Sequence, residues 1–201
     1  MTPILQAGQS YTFRSYFELP FEADEILAEL GFTLVRTELE FPRHLGTLDR
    51  LPETLRRIQE NLRYASLSNE QARRELLVAP VVLDLCHYTQ AQLRIEYTLV
   101  VSEWLKGSLD YYLKAETNLL VVEAKNDDLV RGFTQLAAEL IALDQAGRID
   151  SPVLYGAVTT GDIWRLGKLD RDQKRIEQDL NLYRVPADLE ELLRILVALM
   201  T

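Results

Sequence analysis

The pattern of hydrophobic and polar positions predicts mainly helices in the first part of the chain. Residues 22–30 and 51–62 carry apolar side chains at helical spacing. A longer helix is predicted to begin at Ser68 or Asn69, either of which suits the N-cap position. Pro80 lies inside this helix and is expected to kink or break it, because proline lacks the amide hydrogen that the helix needs.

From Leu93 onward the pattern changes to the alternation that is typical of strands. Strands are predicted at residues 32–41, 93–101, 107–126 (a hairpin), 153–169 (a second hairpin) and 175–185, with helices at 129–143 and 189–200. This order predicts an α/β fold in which a mixed central β-sheet is flanked by helices. The predicted core is residues 69–201 with the C-terminal helix, and residues 1–68 form an α+β extension packed on that core.

The first hairpin brings three charged side chains together at the end of an apolar strand. With the turn centred on Glu116 and Thr117, Asp110 lies directly opposite Glu123. Opposed residues of an antiparallel pair share one face of the sheet, with Cβ atoms roughly 5 Å apart, and Lys125 shares that face because strand side chains alternate. Two carboxylates and an ammonium group are the chemistry of metal-assisted phosphodiester cleavage, although a salt bridge between Asp110 and Lys125 would use the same residues.

Composition limits the classes of protein that the chain can belong to. Its 201 residues carry a formal net charge of −9, which argues against a protein that coats nucleic acid but not against a nuclease whose metal ion supplies positive charge. No apolar run approaches the ~20 residues of a membrane span, and the N-terminus does not resemble a signal peptide. A single cysteine, Cys86, fits a reducing compartment, so we expect a cytoplasmic protein that does not associate with membranes.

The acidic and basic positions of the hairpin resemble the PD-(D/E)XK nuclease superfamily, which has the restriction-endonuclease-like fold. Asp110 corresponds to the first acidic residue of the motif, and Glu123, Ala124 and Lys125 correspond to its (D/E)-X-K triplet. The proline that names the motif is absent, because Leu109 precedes Asp110. The resemblance covers residues 69–168, and it rests on the agreement of strand, turn, apolar run, following helix and second hairpin.

The resemblance implies further site residues on the two helices that surround the hairpin. Glu70 corresponds to an extra glutamate that some members place in the site, with Glu75 as its rival, and Gln135 corresponds to a glutamine that several branches direct into it. The tyrosine that one branch has four residues later is replaced by Glu139. The implied metal ligands are Asp110, Glu123, Glu70 and the Ala124 carbonyl, and hard oxygen ligands favour Mg²⁺ or Mn²⁺.

These observations lead to the hypothesis of a Mg²⁺-dependent deoxyribonuclease, an endonuclease rather than an exonuclease, of a restriction, defence or mobile-element type. The alternative is a non-catalytic protein of the same fold that acts as a scaffold or binds nucleic acid or protein. An interaction module from another class would be favoured by a cluster that is buried and fully salt-bridged. The expected partners are DNA and an unidentified protein. The apolar stripe of residues 189–200 either covers the sheet or forms a homodimer interface.

Overall fold

The structure, a computed structural model, describes residues 3–116, 118–147 and 150–201. Seven α-helices, one π-helical turn and eight strands are found in this part of the chain. The helices are α1 (Phe13–Glu18), α2 (Ala23–Glu29), α3 (Leu51–Tyr64), α4 (Glu70–Arg73), α5 (Ala79–Thr89), α6 (Leu129–Gln145) and α7 (Leu189–Met200). The strands are β1 (Thr33–Thr37), β2 (Gln92–Val100), β3 (Lys106–Lys114), β4 (Leu119–Ala124), β5 (Val153–Thr159), β6 (Ile163–Asp170), β7 (Arg175–Asp179) and β8 (Tyr183–Arg184).

The strands form one mixed sheet in the order β1-β7-β6-β5-β4-β3-β2, and the short β8 pairs with β6. Strands β2, β3 and β4 are antiparallel neighbours, and β4 runs parallel to β5 through the crossover helix α6. Strand β1 lies parallel to β7 at the far edge. The predicted α/β fold with a mixed sheet and flanking helices is therefore confirmed at this level of detail.

Each face of the sheet is covered by its own layer of helices. Helices α1, α2 and α6 pack on one face, where Phe133, Leu136 and Leu140 of α6 are buried against the strands. Helices α3, α5 and α7 cover the other face, together with the π-helical turn. Buried strand residues alternate between the two layers, and Tyr112 and Val121 point to the α6 face. Asp110 and Glu123 are each two residues away from one of them along the strand, so they lie on the α6 face as well.

The helix predicted to begin near Asn69 does so, but a π-helical turn at Arg74–Val78 interrupts it. The Asn69 side chain accepts a 2.8 Å hydrogen bond from the amide of Ala72, as an N-cap residue does. Pro80 lies in the first turn of α5, directly after the π-helical turn. The hydrogen-bonding pattern of the helix thus changes in the turn before this proline, and the chain stays helical after it.

The terminal segments belong to the same layered structure. Within residues 1–68, β1 is an edge strand of the sheet, while α1 and α2 pack against α6. The strand predicted at residues 32–41 is shorter than expected and ends at Thr37. The apolar stripe of α7 is buried against the sheet, so it covers the core and is not available as a dimer interface. None of the described helices is long and apolar enough to cross a membrane.

Candidate active site

The register of the β3–β4 hairpin agrees with the one predicted from the sequence. Tyr111 pairs with Val122 and Leu113 pairs with Leu120, so the same register places Asp110 opposite Glu123. The turn residue Thr117 lies outside the described residues. Asp110 is 9% exposed and Glu123 is 2% exposed, so both carboxyl groups are largely removed from water.

Asp110 is held between the backbone of β4 and an arginine of the π-helical turn. Its Oδ2 accepts a 2.8 Å hydrogen bond from the amide of Ala124, and its Oδ1 lies 3.1 Å from Nη1 of Arg74. Nη1 of Arg74 also lies 2.6 Å from Oε1 of Glu96. Burial raises the pKa of Asp110, although Arg74 and the Ala124 amide oppose the shift. Asp110 is therefore fixed in place by two donors.

Glu96 lies on β2 level with Asp110, between the paired residues Ile95 and Tyr97. Its φ of 52° falls in the left-handed region, which a residue with a side chain seldom adopts. Such strain persists only where the surrounding structure maintains it, and it is concentrated at functional sites. The distortion lies beside Asp110, and the ion pair with Arg74 draws the Glu96 carboxylate toward the same cluster.

Glu123 receives two donors on one oxygen and none on the other. Its Oε1 accepts from Nζ of Lys125 at 2.6 Å and from Nε2 of Gln135 at 2.5 Å. Its Oε2 is buried and has no hydrogen-bond partner among the described residues. Lys125 also lies over the ring of Phe17, with 5.2 Å from Nζ to the ring centroid. Oε2 of Glu123 thus accepts no hydrogen bond from a nitrogen donor or a hydroxyl donor of the described residues.

A second buried glutamate shares the Gln135 donor. Nε2 of Gln135 also donates to Oε1 of Glu139 at 2.9 Å, and Glu139 is 0% exposed. Burial is the main cause of a raised pKa at both Glu123 and Glu139, and repulsion by Asp110 at Glu123 and by Glu123 at Glu139 adds to it. A side-chain hydrogen bond from Glu139 opposes the rise in the pKa of Glu123, so the two carboxyl groups are in contact when Glu139 is protonated. Burial opposes the charge of Lys125, but Glu123, Asp110 and Glu70 outweigh it and raise the pKa of Lys125.

One open cavity of about 420 Å³ collects the side chains predicted from the sequence. They are Glu70, Asp110, Glu123, Lys125 and Gln135. Ala124 is buried and is not among the residues that line the cavity. The rival Glu75 lines a neighbouring depression instead and accepts a hydrogen bond from Gln71. The structure therefore brings the five predicted side chains together and favours Glu70 over Glu75.

The donor set fits a divalent cation that takes only part of its ligands from protein. In the part of the chain that the structure describes, no three His, Cys, Asp or Glu residues are arranged to hold a metal ion. Mg²⁺ commonly binds through one or two carboxylates and completes its shell with water and substrate phosphate. The unpartnered Oε2 of Glu123, next to Asp110, offers such a ligand, whereas Oδ1 of Asp110 is shared with Arg74.

Sequence reasoning gave no site role to three members of the cluster, which are Arg74, Glu96 and Glu139. Glu139 could have been found, because it is a charged residue within the apolar run of α6, one helical turn after Gln135. The contacts of Arg74 depend on how the π-helical turn packs over β2 and β3. The position of Glu96 depends on a backbone distortion that no glycine marks. The contacts of Arg74 and Glu96 therefore could not be predicted from the local sequence.

No protein-family model matches this chain, and no curated protein is similar enough to be recognised as a relative.

Proposed function

We propose that the protein is a metal-dependent nuclease that hydrolyses phosphodiester bonds of DNA. The observation that carries the proposal is the unpartnered Oε2 of Glu123, buried beside Asp110 at an open cavity that Lys125 also lines. Burying a carboxylate oxygen without a partner costs free energy, so its retention is understandable if the site binds a cation. Phosphodiester hydrolysis is a reaction that can use carboxylates to hold a cation and an ammonium group to stabilise negative charge.

Each cluster residue has a role that follows from its contacts. Asp110 and Glu123 would hold Mg²⁺ or Mn²⁺, with Glu70, which also lines the cavity, as a further carboxylate. The cation would supply positive charge that polarises the phosphoryl group and acidifies a water. Lys125 is held by Glu123 and Phe17, and it would stabilise the negative charge that develops on the phosphoryl oxygens. Gln135 orients the Glu123 carboxylate through its 2.5 Å hydrogen bond.

A non-catalytic role is the second candidate, and the two ion pairs of the cluster favour it. Arg74 lies 3.1 Å from Asp110, and Lys125 lies 2.6 Å from Glu123, so each carboxylate already has a basic partner. A scaffold could use this network for structure alone. The network is incomplete, however, because Oε2 of Glu123 lies outside it, and this atom separates the two candidates.

The test measures cleavage of plasmid, linear and single-stranded DNA with Mg²⁺, with Mn²⁺ and with EDTA. Asp110→Asn and Glu123→Gln should each abolish cleavage, because each removes a metal-binding charge with little change of shape. Lys125→Ala should abolish cleavage but retain cation binding in calorimetry, because the ammonium group repels the cation. Only the nuclease hypothesis predicts that calorimetric difference among the three variants.

A second buried pair provides matched controls on the same sheet. Nζ of Lys168 lies 3.2 Å from Oε2 of Glu177, whose side chain is 7% exposed. Lys168→Ala and Glu177→Gln should therefore cleave DNA as the wild type does. Cleavage that persists undiminished in Asp110→Asn, Glu123→Gln and Lys125→Ala as well as in the controls identifies a contaminating nuclease. A wild-type protein that binds neither Mg²⁺ nor Mn²⁺, even with DNA present, refutes the catalytic proposal.

A further inference from the structure

Arg165 lies in the same row of the sheet as the Glu123 carboxylate. Glu123 pairs with Val158 of β5, and Val158 pairs with Arg165 of β6. Directly paired residues share one face of a sheet, so Arg165 lies on the α6 face, like Glu123. Two steps between neighbouring strands place the two Cα atoms roughly 10 Å apart.

The guanidinium group of Arg165 lacks a partner, which is unusual for its burial. Within the described residues it makes no ion pair and no side-chain hydrogen bond, and its Nε is buried and unpartnered. Every other partly buried lysine or arginine that the structure describes has a carboxylate within ion-pair distance: Arg73, Arg74, Lys106, Lys125, Lys168, Arg171, Arg175 and Arg194. Arg165 is therefore a partly buried basic group that has no described carboxylate within ion-pair distance.

A second arginine lies on the same face near Arg165. Arg36 of β1 pairs with Gln178 of β7, which pairs in turn with Gly167, two residues after Arg165 on β6. Nε of Arg36 donates to Oε1 of Gln178 at 3.1 Å, and no described carboxylate forms an ion pair with it. Burial lowers the pKa of Arg165, Asp179 opposes that shift, and Arg36 reinforces it, so the two guanidinium groups repel each other. Two neighbouring arginines with free donors match an oxyanion.

We propose that Arg165 and Arg36 form a binding subsite for one phosphate group of the nucleic-acid strand that the Glu123 cluster cleaves. The proposal rests on the proposed function, since the cluster defines where the strand is cut. The separation of roughly 10 Å equals the rise of about three stacked nucleotides, at 3.4 Å each. The subsite would hold the strand in register, and it would not take part in the chemical step.

Asp179 is the structural alternative to a phosphate. It is fully buried, its Oδ1 accepts from the amides of Leu39 and Asn181, and its Oδ2 has no partner. An arginine that serves only to balance Asp179 would stabilise the fold without any ligand. An arginine kept for a phosphate would instead carry the cost of an unpaired, partly buried charge.

The first experiment uses inorganic phosphate and measures thermal unfolding in metal-free buffer at constant ionic strength. Phosphate should raise the melting temperature of the wild type but raise it less in Arg165→Gln and Arg36→Gln. The control is Arg56→Gln, which changes the net charge equally at a side chain that is 58% exposed and already paired with Glu53 and Glu60. Arg36 is exposed, so its variant tests the subsite even where Arg165→Gln impairs folding.

The second experiment measures the binding of a fluorescent single-stranded oligonucleotide in EDTA over a range of salt concentrations. Arg165→Gln should bind more weakly than Arg56→Gln, and the slope of log K against log salt should fall by about 0.7, the value for one lost phosphate contact on a single strand. A response to inorganic phosphate without any change in oligonucleotide binding assigns the site to free phosphate and overturns the nucleic-acid proposal.

The remaining outcomes separate this proposal from the nuclease proposal. Cleavage by the wild type, with Arg165→Gln indistinguishable from Arg56→Gln in both experiments, overturns the subsite and leaves the nuclease standing. A loss of stability in Arg165→Gln, with unchanged responses to phosphate and DNA, assigns Arg165 to Asp179 and also overturns the subsite. A wild type without cleavage, but with Arg165-dependent oligonucleotide binding, refutes the nuclease and retains the phosphate site.

Discussion

Replacing Glu139 by glutamine should stabilise the protein at neutral pH, and the gain should shrink as the pH falls. The Glu139 carboxyl is fully buried, accepts one hydrogen bond from Gln135, and leaves Oε2 without a partner. The amide of glutamine has nearly the same shape and keeps an oxygen that can accept from Gln135. The substitution therefore removes an ionisable group from the core with little change in packing.

The size of the effect follows from proton linkage. A carboxyl group whose pKa is raised in the folded state costs no stability below its unfolded pKa, and the cost grows as the pH rises toward the folded pKa. The pKa of Glu139 is raised well above the ordinary value of 4.5, chiefly by burial. Each pH unit between 4.5 and 7 contributes at most about 1.36 kcal/mol, so the cost is at most about 3 kcal/mol at pH 7 and at most about 1 kcal/mol at pH 5.

Thermal unfolding of the variant and the wild type at pH 5 and pH 7 measures the difference. For a chain of 201 residues, 1 kcal/mol corresponds to about 2–4 °C, so Glu139→Gln should raise the melting temperature at pH 7, by at most about 6–12 °C. The control is Glu38→Gln, which changes the same chemical group at an exposed position. A gain of equal size at both pH values would falsify the linkage argument, and a lower melting temperature at pH 7 would show that ionised Glu139 is satisfied in the fold.

Two further substitutions test other parts of the structure. Arg74→Ala removes the partner of Asp110 and Glu96, so it should lower the free energy of unfolding by about 1–3 kcal/mol in EDTA. If the two carboxylates bind Mn²⁺, its addition should recover part of this loss. An equal loss with EDTA and with Mn²⁺ would argue against a cation at these carboxylates. Gly167→Ala should lower the free energy of unfolding in urea by about 1–3 kcal/mol, because its Cβ would lie 2.5 Å from the Phe133 ring and 2.9 Å from the Glu177 carbonyl oxygen. A change below about 0.5 kcal/mol would show that α6 moves aside.

The hairpin register could be predicted from the sequence because its determinants are local. Apolar runs on both sides of a short turn must pair so that their charged ends coincide, and a slip by one residue would move every side chain to the other face. Tyr111–Val122 and Leu113–Leu120 therefore fix the position of Asp110 against Glu123. The elements that carry the predicted site residues could be predicted for the same reason, since the apolar residues of each element recur at a regular local spacing.

The order of the strands could not be predicted, because it depends on contacts between distant parts of the chain. Thr33 pairs with Arg175, and nothing in the local pattern of β1 identifies β7 as its neighbour. The end of β1 was also predicted wrongly, because Leu39 and Phe41 alternate like strand residues. They pack on the opposite helical layer as irregular chain instead, since Leu39 donates its amide to the Asp179 carboxylate rather than to a strand.

Two ionisable groups with unpartnered atoms in one row of the sheet are the strongest physical reason to expect a charged ligand. Oε2 of Glu123 is a buried acceptor without a donor, and two strands away Arg165 is a partly buried donor without an acceptor. The two groups do not satisfy each other, because Val158 and the backbone of β5 lie between them. A nucleic-acid strand with a bound divalent cation would supply the cation to the carboxylate of Glu123 and a phosphate oxyanion to the guanidinium of Arg165 at the same time. An apolar protein surface would leave both groups without a partner in a drier environment, at a greater cost than in the free protein.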